Sequence, residues 1–355
     1  MERKTILELL PCIRVNGRAV WDEKDGGLYC NWSASGITVS IEGTELRVKA
    51  APLADELRLG EDMDPFLLWP SLGASEGGEL IFRAECREEE WFTIFLGRKQ
   101  RSEITLLKLN ENARGKLKLL ELETDGRFVP LSASDRKQIE FVGDSITCGF
   151  GNETNQADGT IVENVWTTFG VRTVLALDMD IRMICRSGIC AVYIGDGEGG
   201  EETMEDIYPY TDALLDDRLQ RDWRSWDFQG HPSDVVVVDL GTNDAFRVGQ
   251  CREKEQLLQR KELFKKGYME FIRQIRRYNG ESCLICCCLG PMWYDLEAEI
   301  RKSVEELQNE SGKTVFFRFS PIDPETEGYG AEYHPSGLTH KRMSEELTEF
   351  LRGQI

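Results

Sequence analysis

The hydrophobic period changes once along the chain, near residue 133, and this change constrains the fold more than any other feature. From about residue 14 to 125, the runs GITVSIEG, TELRVKAA, ELIFRAE, WFTIFLG, EITLLKL and KLKLLELET alternate apolar and polar residues between turn residues. Successive side chains of a strand point to opposite faces, so many short runs of period two specify an all-β sandwich or barrel. The polar, proline-punctuated stretch FVPLSASDRKQ follows. Beyond it stand five apolar strand candidates, at 139–144, 180–187, 235–241, 283–290 and 314–320, with helical patterns between them. The longest pattern, 252–278, repeats Leu257, Leu258, Leu263, Phe264, Tyr268, Phe271, Ile272 and Ile275 on one face. Continuous apolar strands alternating with helices specify a parallel sheet covered on both faces. The expectation is an all-β sandwich over 1–133, including the linker, and an α/β domain over 134–355. A chain of 355 residues can bury both cores.

Charge narrows the function classes. With 43 basic against 63 acidic residues the net charge is -20, which repels phosphate backbones and anionic lipid. Nucleic acid and membrane surfaces are therefore not expected partners. No run approaches the roughly 18–20 apolar residues of a membrane-spanning helix, and MERKTILELLPCIRV lacks a secretory apolar core. The 11 cysteines are odd in number, and many fall inside apolar runs such as CLICCCLG, where a reduced thiol packs as a small hydrophobe. These features lead us to expect a cytoplasmic protein. Cys283 and Cys286 have a metal-like spacing, but on a strand they face opposite ways and no second pair matches them, so no metal is expected.

In an open parallel sheet, ligands bind beyond the carboxyl ends of the strands. Four turns fall there: Gly143-Asp144-Ser145-Ile146-Thr147, Arg186-Ser187-Gly188, Gly241-Thr242-Asn243-Asp244 and Gly290-Pro291-Met292-Trp293. Ser145, at a strand-to-helix turn, stands where backbone N–H groups favour negative charge, and it could serve either as a helix cap or as a nucleophile. A serine nucleophile needs a base, and the chain has three histidines. His231 precedes the third strand, which places it roughly 23 Å from the active edge. His340 falls within the last helical pattern. His334, in a loop set off by Pro335, is left as the base. Trp293 could stack on a sugar ring at the same edge. Cys148 reads as a packing residue. The acidic, glycine-rich segment 193–210 reads as a loop rimming the pocket or as a solvated loop without a role.

GDSITCGFG, the Gly188 turn, GTND and the HPS segment resemble, in order, the four signature blocks of SGNH (GDSL-like) hydrolases. IEFVGDSITCGFGN and GAEYHPSGLTHKRMSEEL are similar to their wording in carbohydrate esterase family 2, and LYCNWSASGITVSIEGTELRVK resembles the start of that group's N-terminal jelly roll. The resemblance implies a flavodoxin-like hydrolase domain with a five-stranded parallel sheet behind a jelly-roll sandwich. It further implies Ser145 as nucleophile and oxyanion donor, Gly188 and Asn243 as the other donors, and His334 as general base and then acid, without metal or organic cofactor. The implied substrate is an O-acetylated carbohydrate, such as a 6-O-acetyl hexose or an acetylated xylo- or manno-oligosaccharide. Many SGNH enzymes place an aspartate three residues before the histidine, where this chain has Ala331. The group's alternative position holds Glu332. Two arrangements stay open: a triad completed by Glu332, or a Ser–His dyad oriented by a backbone carbonyl. Two other functions compete, a lysophospholipase or thioesterase on the same fold and a non-catalytic carbohydrate-binding protein.

Overall fold

A computed structural model describes residues 1–24, 26–57, 66–154, 162–192, 202–251, 253–310 and 313–355. The chain divides into two compact units. One comprises Met1–Asp135 with Thr211–Arg224, the other Arg136–Tyr210 with Ser225–Ile355.

The first unit is an antiparallel β-structure of jelly-roll type. Its central strands, Gly36–Leu53 and Glu90–Lys108, each join two runs that the sequence presents as separate strands. Gly36–Leu53 changes face within its length. Ile37, Val39 and Ile41 are fully buried, then Leu46, Val48 and Ala50, so the inward phase slips by one residue. The slip falls near Gly43, where a Cβ would lie 2.5 Å from Thr124 Oγ1, and the pairing with Glu90–Lys108 shifts register between Phe95 and Gln100. An irregularity that re-aims side chains lets one strand serve two faces of a curved sheet. The apparent turn residues thus mark a bend, and the strand continues through it.

Thr211–Arg224 also belongs to this unit, although it lies between strands of the other. Asp212, buried, caps the helix Ala213–Arg218 through Leu215 N and accepts from Asn31 Nδ2 at 2.7 Å and Asn112 Nδ2 at 2.9 Å. Leu215 packs with Val20 and Tyr29, and the Trp32 indole donates to Thr211 O.

The second unit contains β1 (Gln138–Gly143), β2 (Asp180–Cys185), β3 (Val235–Asp239), β4 (Leu284–Leu289) and β5 (Thr314–Arg318) in the order β2-β1-β3-β4-β5, every pair parallel. This is the flavodoxin-like order, which reverses direction between β1 and β3. The helices are α1 (Ser145–Cys148), α2 (Phe169–Leu177), α3 (Met204–Ile207), α4 (Thr242–Gly249), α5 (Lys254–Asn279), α6 (Glu297–Glu310) and α7 (Gly337–Arg352). β3 and β4 are buried along their whole length, as strands covered on both faces must be. Gly143, Asp239 and Cys288 pair in register, so the carboxyl ends of β1, β3 and β4 are level. Among the described residues, no helix is long and apolar enough to cross a membrane.

Candidate active site

The turn after β1 depends on small and polar residues for specific reasons. A Cβ on Gly143 would lie 2.0 Å from Thr147 Oγ1, so only glycine lets α1 return this closely over its own strand. Asp144 is the N-cap, its Oδ1 accepting from Ile146 N at 2.9 Å. Capping is therefore done by Asp144 and not by Ser145. The Ser145 hydroxyl is left to His334, whose Nε2 lies 2.9 Å from Oγ.

His334 reaches this position through an unusual loop. Glu332 (φ 50°) and Tyr333 (φ 62°) are consecutive left-handed residues, a conformation that costs on the order of 1–3 kcal/mol for each non-glycine residue. The turn they make aims the carbonyl oxygens of both Ala331 and Glu332 at His334 Nδ1, each at 3.2 Å. The Glu332 side chain itself is exposed, and what it brings to Nδ1 is its backbone carbonyl. Nδ1–H donates to these carbonyls, which fixes the tautomer that leaves Nε2 as an acceptor facing the Ser145 hydroxyl. Backbone bonds from the GFGN segment hold the loop, Ala331 N donating to Gly151 O and Gly337 N to Asn152 O, both at 3.0 Å. A Cβ on Gly151 would lie 2.4 Å from that of Ala331. Phe150 packs on the imidazole at a centroid distance of 4.6 Å.

Gly188 adopts φ 77° in the turn after β2, with nothing within 4 Å of a notional Cβ. Its backbone conformation, rather than space, is what requires glycine. Asn243, in the first turn of α4, donates through Nδ2 to Asp144 Oδ2 at 3.2 Å and to Ile189 O at 3.0 Å. One amide thereby ties together the turns after β1, β2 and β3. Both of its hydrogens are engaged, so any further donation from this amide would exchange the longer bond to Asp144. Trp293 follows β4, 41% exposed, and stacks on Phe246 with centroids 5.6 Å apart and planes 12° from parallel.

The other singled-out residues lie elsewhere. Cys148 is fully buried. His231 stacks on Trp226 before β3. His340 is buried in α7, its Nδ1 accepting from Phe169 N at 3.3 Å, and burial pushes its pKa down to about 3. Residues 193–201 of the acidic segment lie outside the described residues, and Met204–Ile207 of it forms α3.

Sequence reasoning overlooked three residues at this edge. Phe246, 54% exposed, completes the aromatic pair. Asp239 ends β3 with its carboxyl held well above the usual range by burial and by the charge of Asp144. Asp244 is buried and accepts from Ala191 N and Val192 N. The signal for Asp244 was present in GTND, where a carboxylate in a first helical turn reads as an ordinary cap.

The first 358-residue alignment, 27% identical, is to the cellulase/esterase CelE of Acetivibrio thermocellus; it covers 97% of this chain, which spans only 40% of that protein. A family two carbohydrate esterase from Clostridium thermocellum, solved in complex with cellohexaose, superposes with a TM-score of 0.78 at 26% identity, covering 96% of this chain and 98% of that one. The acetyl xylan esterase Est2A of Butyrivibrio proteoclasticus, at 18% identity, shares the fold with a TM-score of 0.82 over 99% of both chains. The profile of the GDSL-like lipase/acylhydrolase family matches residues 141–342, more than half of the sequence. With that match running from the strand before Ser145 to the helix after His334, the chain belongs to the GDSL-like lipase/acylhydrolase family.

Proposed function

We propose that the protein is a serine esterase that removes O-acetyl groups from neutral carbohydrates through an acyl-enzyme intermediate. The observation that carries this reading is the 2.9 Å approach of Ser145 Oγ to His334 Nε2, with Nδ1 held by two carbonyls. His334 takes the Ser145 proton as Oγ attacks the acyl carbon, and the imidazolium donates its Nδ1–H to Ala331 O and Glu332 O. Negative charge on the former carbonyl oxygen is met by the backbone N–H groups of Ser145 and Gly188 and by the Asn243 amide. As the acyl C–O bond breaks, His334 protonates the departing sugar oxygen, and water activated by the same imidazole releases acetate. Of the two arrangements compatible with the sequence, the geometry favours the dyad.

The carbohydrate part of the proposal draws on the relatives, an acetyl xylan esterase and an esterase solved with cellohexaose. It fits the exposed pair Trp293–Phe246, since stacked aromatic faces suit the apolar faces of pyranose rings. A net charge of -20 favours neutral over anionic substrates. The favoured substrates are 6-O-acetyl hexoses and acetylated xylo- or manno-oligosaccharides. The reading places the protein in a reducing, cytoplasmic compartment, supported by 11 free thiols, ten of them buried.

The test is hydrolysis of p-nitrophenyl acetate and octanoate, followed by NMR of acetate release from a panel of positional acetyl-glucose, acetyl-mannose and acetyl-xylose esters. Ser145→Ala is expected to lower kcat by about 10³-fold or more, and the acetyl ester to exceed the octanoyl ester. A near-native rate for Ser145→Ala would sink the mechanism. Preference for octanoate would move the substrate to lipid or thioester, and a folded protein that ignores a fluorophosphonate probe would be a binding protein.

A further inference from the structure

Asp244 is a buried carboxylate at the active edge for which the reaction scheme above has no use. It is not the cap of its own helix. The N-cap of α4 is Gly241, with no side-chain capping bond, and the Asp244 carboxylate turns away from α4 toward the segment that follows β2. There it accepts from Ala191 N at 2.9 and 3.1 Å and from Val192 N at 3.3 Å. Its neighbour Asn243 donates to Ile189 O in the same segment. Two consecutive residues of α4 thus grip both the donors and an acceptor of one short stretch of backbone.

That stretch follows directly on Gly188, so what fixes Ile189, Ala191 and Val192 also sets the Gly188 turn. A notional Cβ there meets nothing within 4 Å; the turn begins with Arg186 N donating to Gly143 O at 3.2 Å and carries a long Ile189 N to Arg186 O bond of 3.4 Å. An oxyanion donor is effective only if it is already fixed when charge develops. Burying an ionised carboxylate is costly, and packing alone does not require one. Burial pushes the Asp244 carboxyl up to about 6, against the lowering effect of the Ala191 and Val192 N–H groups. The cost is met where two backbone donors have to be held in a set direction.

We propose that Asp244 is a positioning residue of the oxyanion hole, its carboxylate fixing the Gly188 turn against Asn243 so that their donors converge on one oxygen. This rests on the esterase reading of the site. It assigns the two residues of the GTND block separate roles, Asn243 touching the substrate and Asp244 setting the loop that brings the other donor.

The experiment compares Asp244→Asn, Asn243→Ala and the double variant in the full chain. Rates on p-nitrophenyl acetate are normalised to active sites titrated with a fluorophosphonate, and affinity is measured for a small alkylboronic acid that mimics the tetrahedral species. Asp244→Asn is expected to lower kcat per titrated site about 10- to 100-fold with KM within about twofold, and to weaken boronate binding by a similar factor. In the Asn243→Ala background the same substitution is expected to cost less than about threefold, because donors that act as a unit are not additive. A purely structural role would lower the melting temperature and the fraction of titratable sites but leave kcat per site unchanged, and that result overturns the proposal. Should Asp244→Asn fail to fold, Asp244→Glu keeps the charge, displaces the grip by a methylene, and gives the same readout. Full activity in Ser145→Ala would instead overturn the esterase reading, whereas an inactive Ser145→Ala beside an undiminished Asp244→Asn overturns this inference alone.

Discussion

His334 lies in the irregular loop before α7 and His340 in the first turn of α7 itself, and the two regions treat the same side chain in opposite ways. The loop leaves the His334 ring partly exposed, gives Nδ1 two carbonyl acceptors and aims Nε2 at a hydroxyl. The helix buries His340 completely, stacks it parallel to Phe169 with centroids 6.1 Å apart, and leaves its Nε2 without a hydrogen-bond partner. Protonation is provided for in one case and opposed in the other. The difference comes from backbone rather than from residue type. Two strained residues turn carbonyls inward at the loop, whereas helical carbonyls are already committed to their own ladder.

The largest expected contrast is in turnover. His334→Ala lowers kcat by about 10³-fold or more, while His340→Gln stays within about threefold, both measured on p-nitrophenyl acetate. Comparable losses in the two variants would break the distinction.

The next contrast is in stability against pH. An unfolded histidine titrates near 6.5 and the buried one near 3, so between these values the unfolded chain binds the extra proton. His340 thus withdraws stability as pH falls from about 6.5 to about 3, by on the order of a few kcal/mol in total. Asp244, raised to about 6, titrates in the opposite sense over part of this window. The difference between the native protein and His340→Gln therefore isolates the histidine. Urea denaturation at pH 7 and pH 4.5 is expected to show a smaller drop for His340→Gln, and equal drops would contradict the account.

The smallest effect sharpens what orients His334. If only the Glu332 carbonyl matters, Glu332→Gln leaves kcat and its pH profile within about twofold. A carboxylate partner would make the same change cost orders of magnitude, as loss of the acid does in a triad. A loss beyond tenfold would restore Glu332 as a triad member.

Much of this site could be read along the sequence because its parts are anchored to periodic elements. VVVVDLG and CLICCCLG can only be strands buried on both faces, and once their ends define an edge, Ser145, Asn243 and Trp293 fall on it. His334 followed by elimination. The orienting carbonyls did not, because glutamate and tyrosine carry no preference for positive φ, and the twist at Glu332 and Tyr333 arises from the tether to Gly151 and Asn152. Phe246 was hidden by its place in a helix, where an aromatic residue normally signals a buried face. In the β unit, period two was legible but continuity was not. The interval between Ile41 and Leu46 looks like a turn between strands and is a change of face within one.

The segment Thr211–Arg224 sets an order of events for a chain made from its N-terminus. Val20, Tyr29, Asn31 and Asn112 leave the ribosome long before Leu215 and Asp212, their partners in the same unit. The small cluster of Val20 and Tyr29 with Leu215 cannot close when residue 135 emerges, and waits while β1 and β2 of the other unit are being made. For the same reason a chain started at residue 136 would hold the second unit together with an orphaned piece of the first. Such a fragment would display Leu215 to solvent and leave the Asp212 carboxylate without its Asn31 and Asn112 donors.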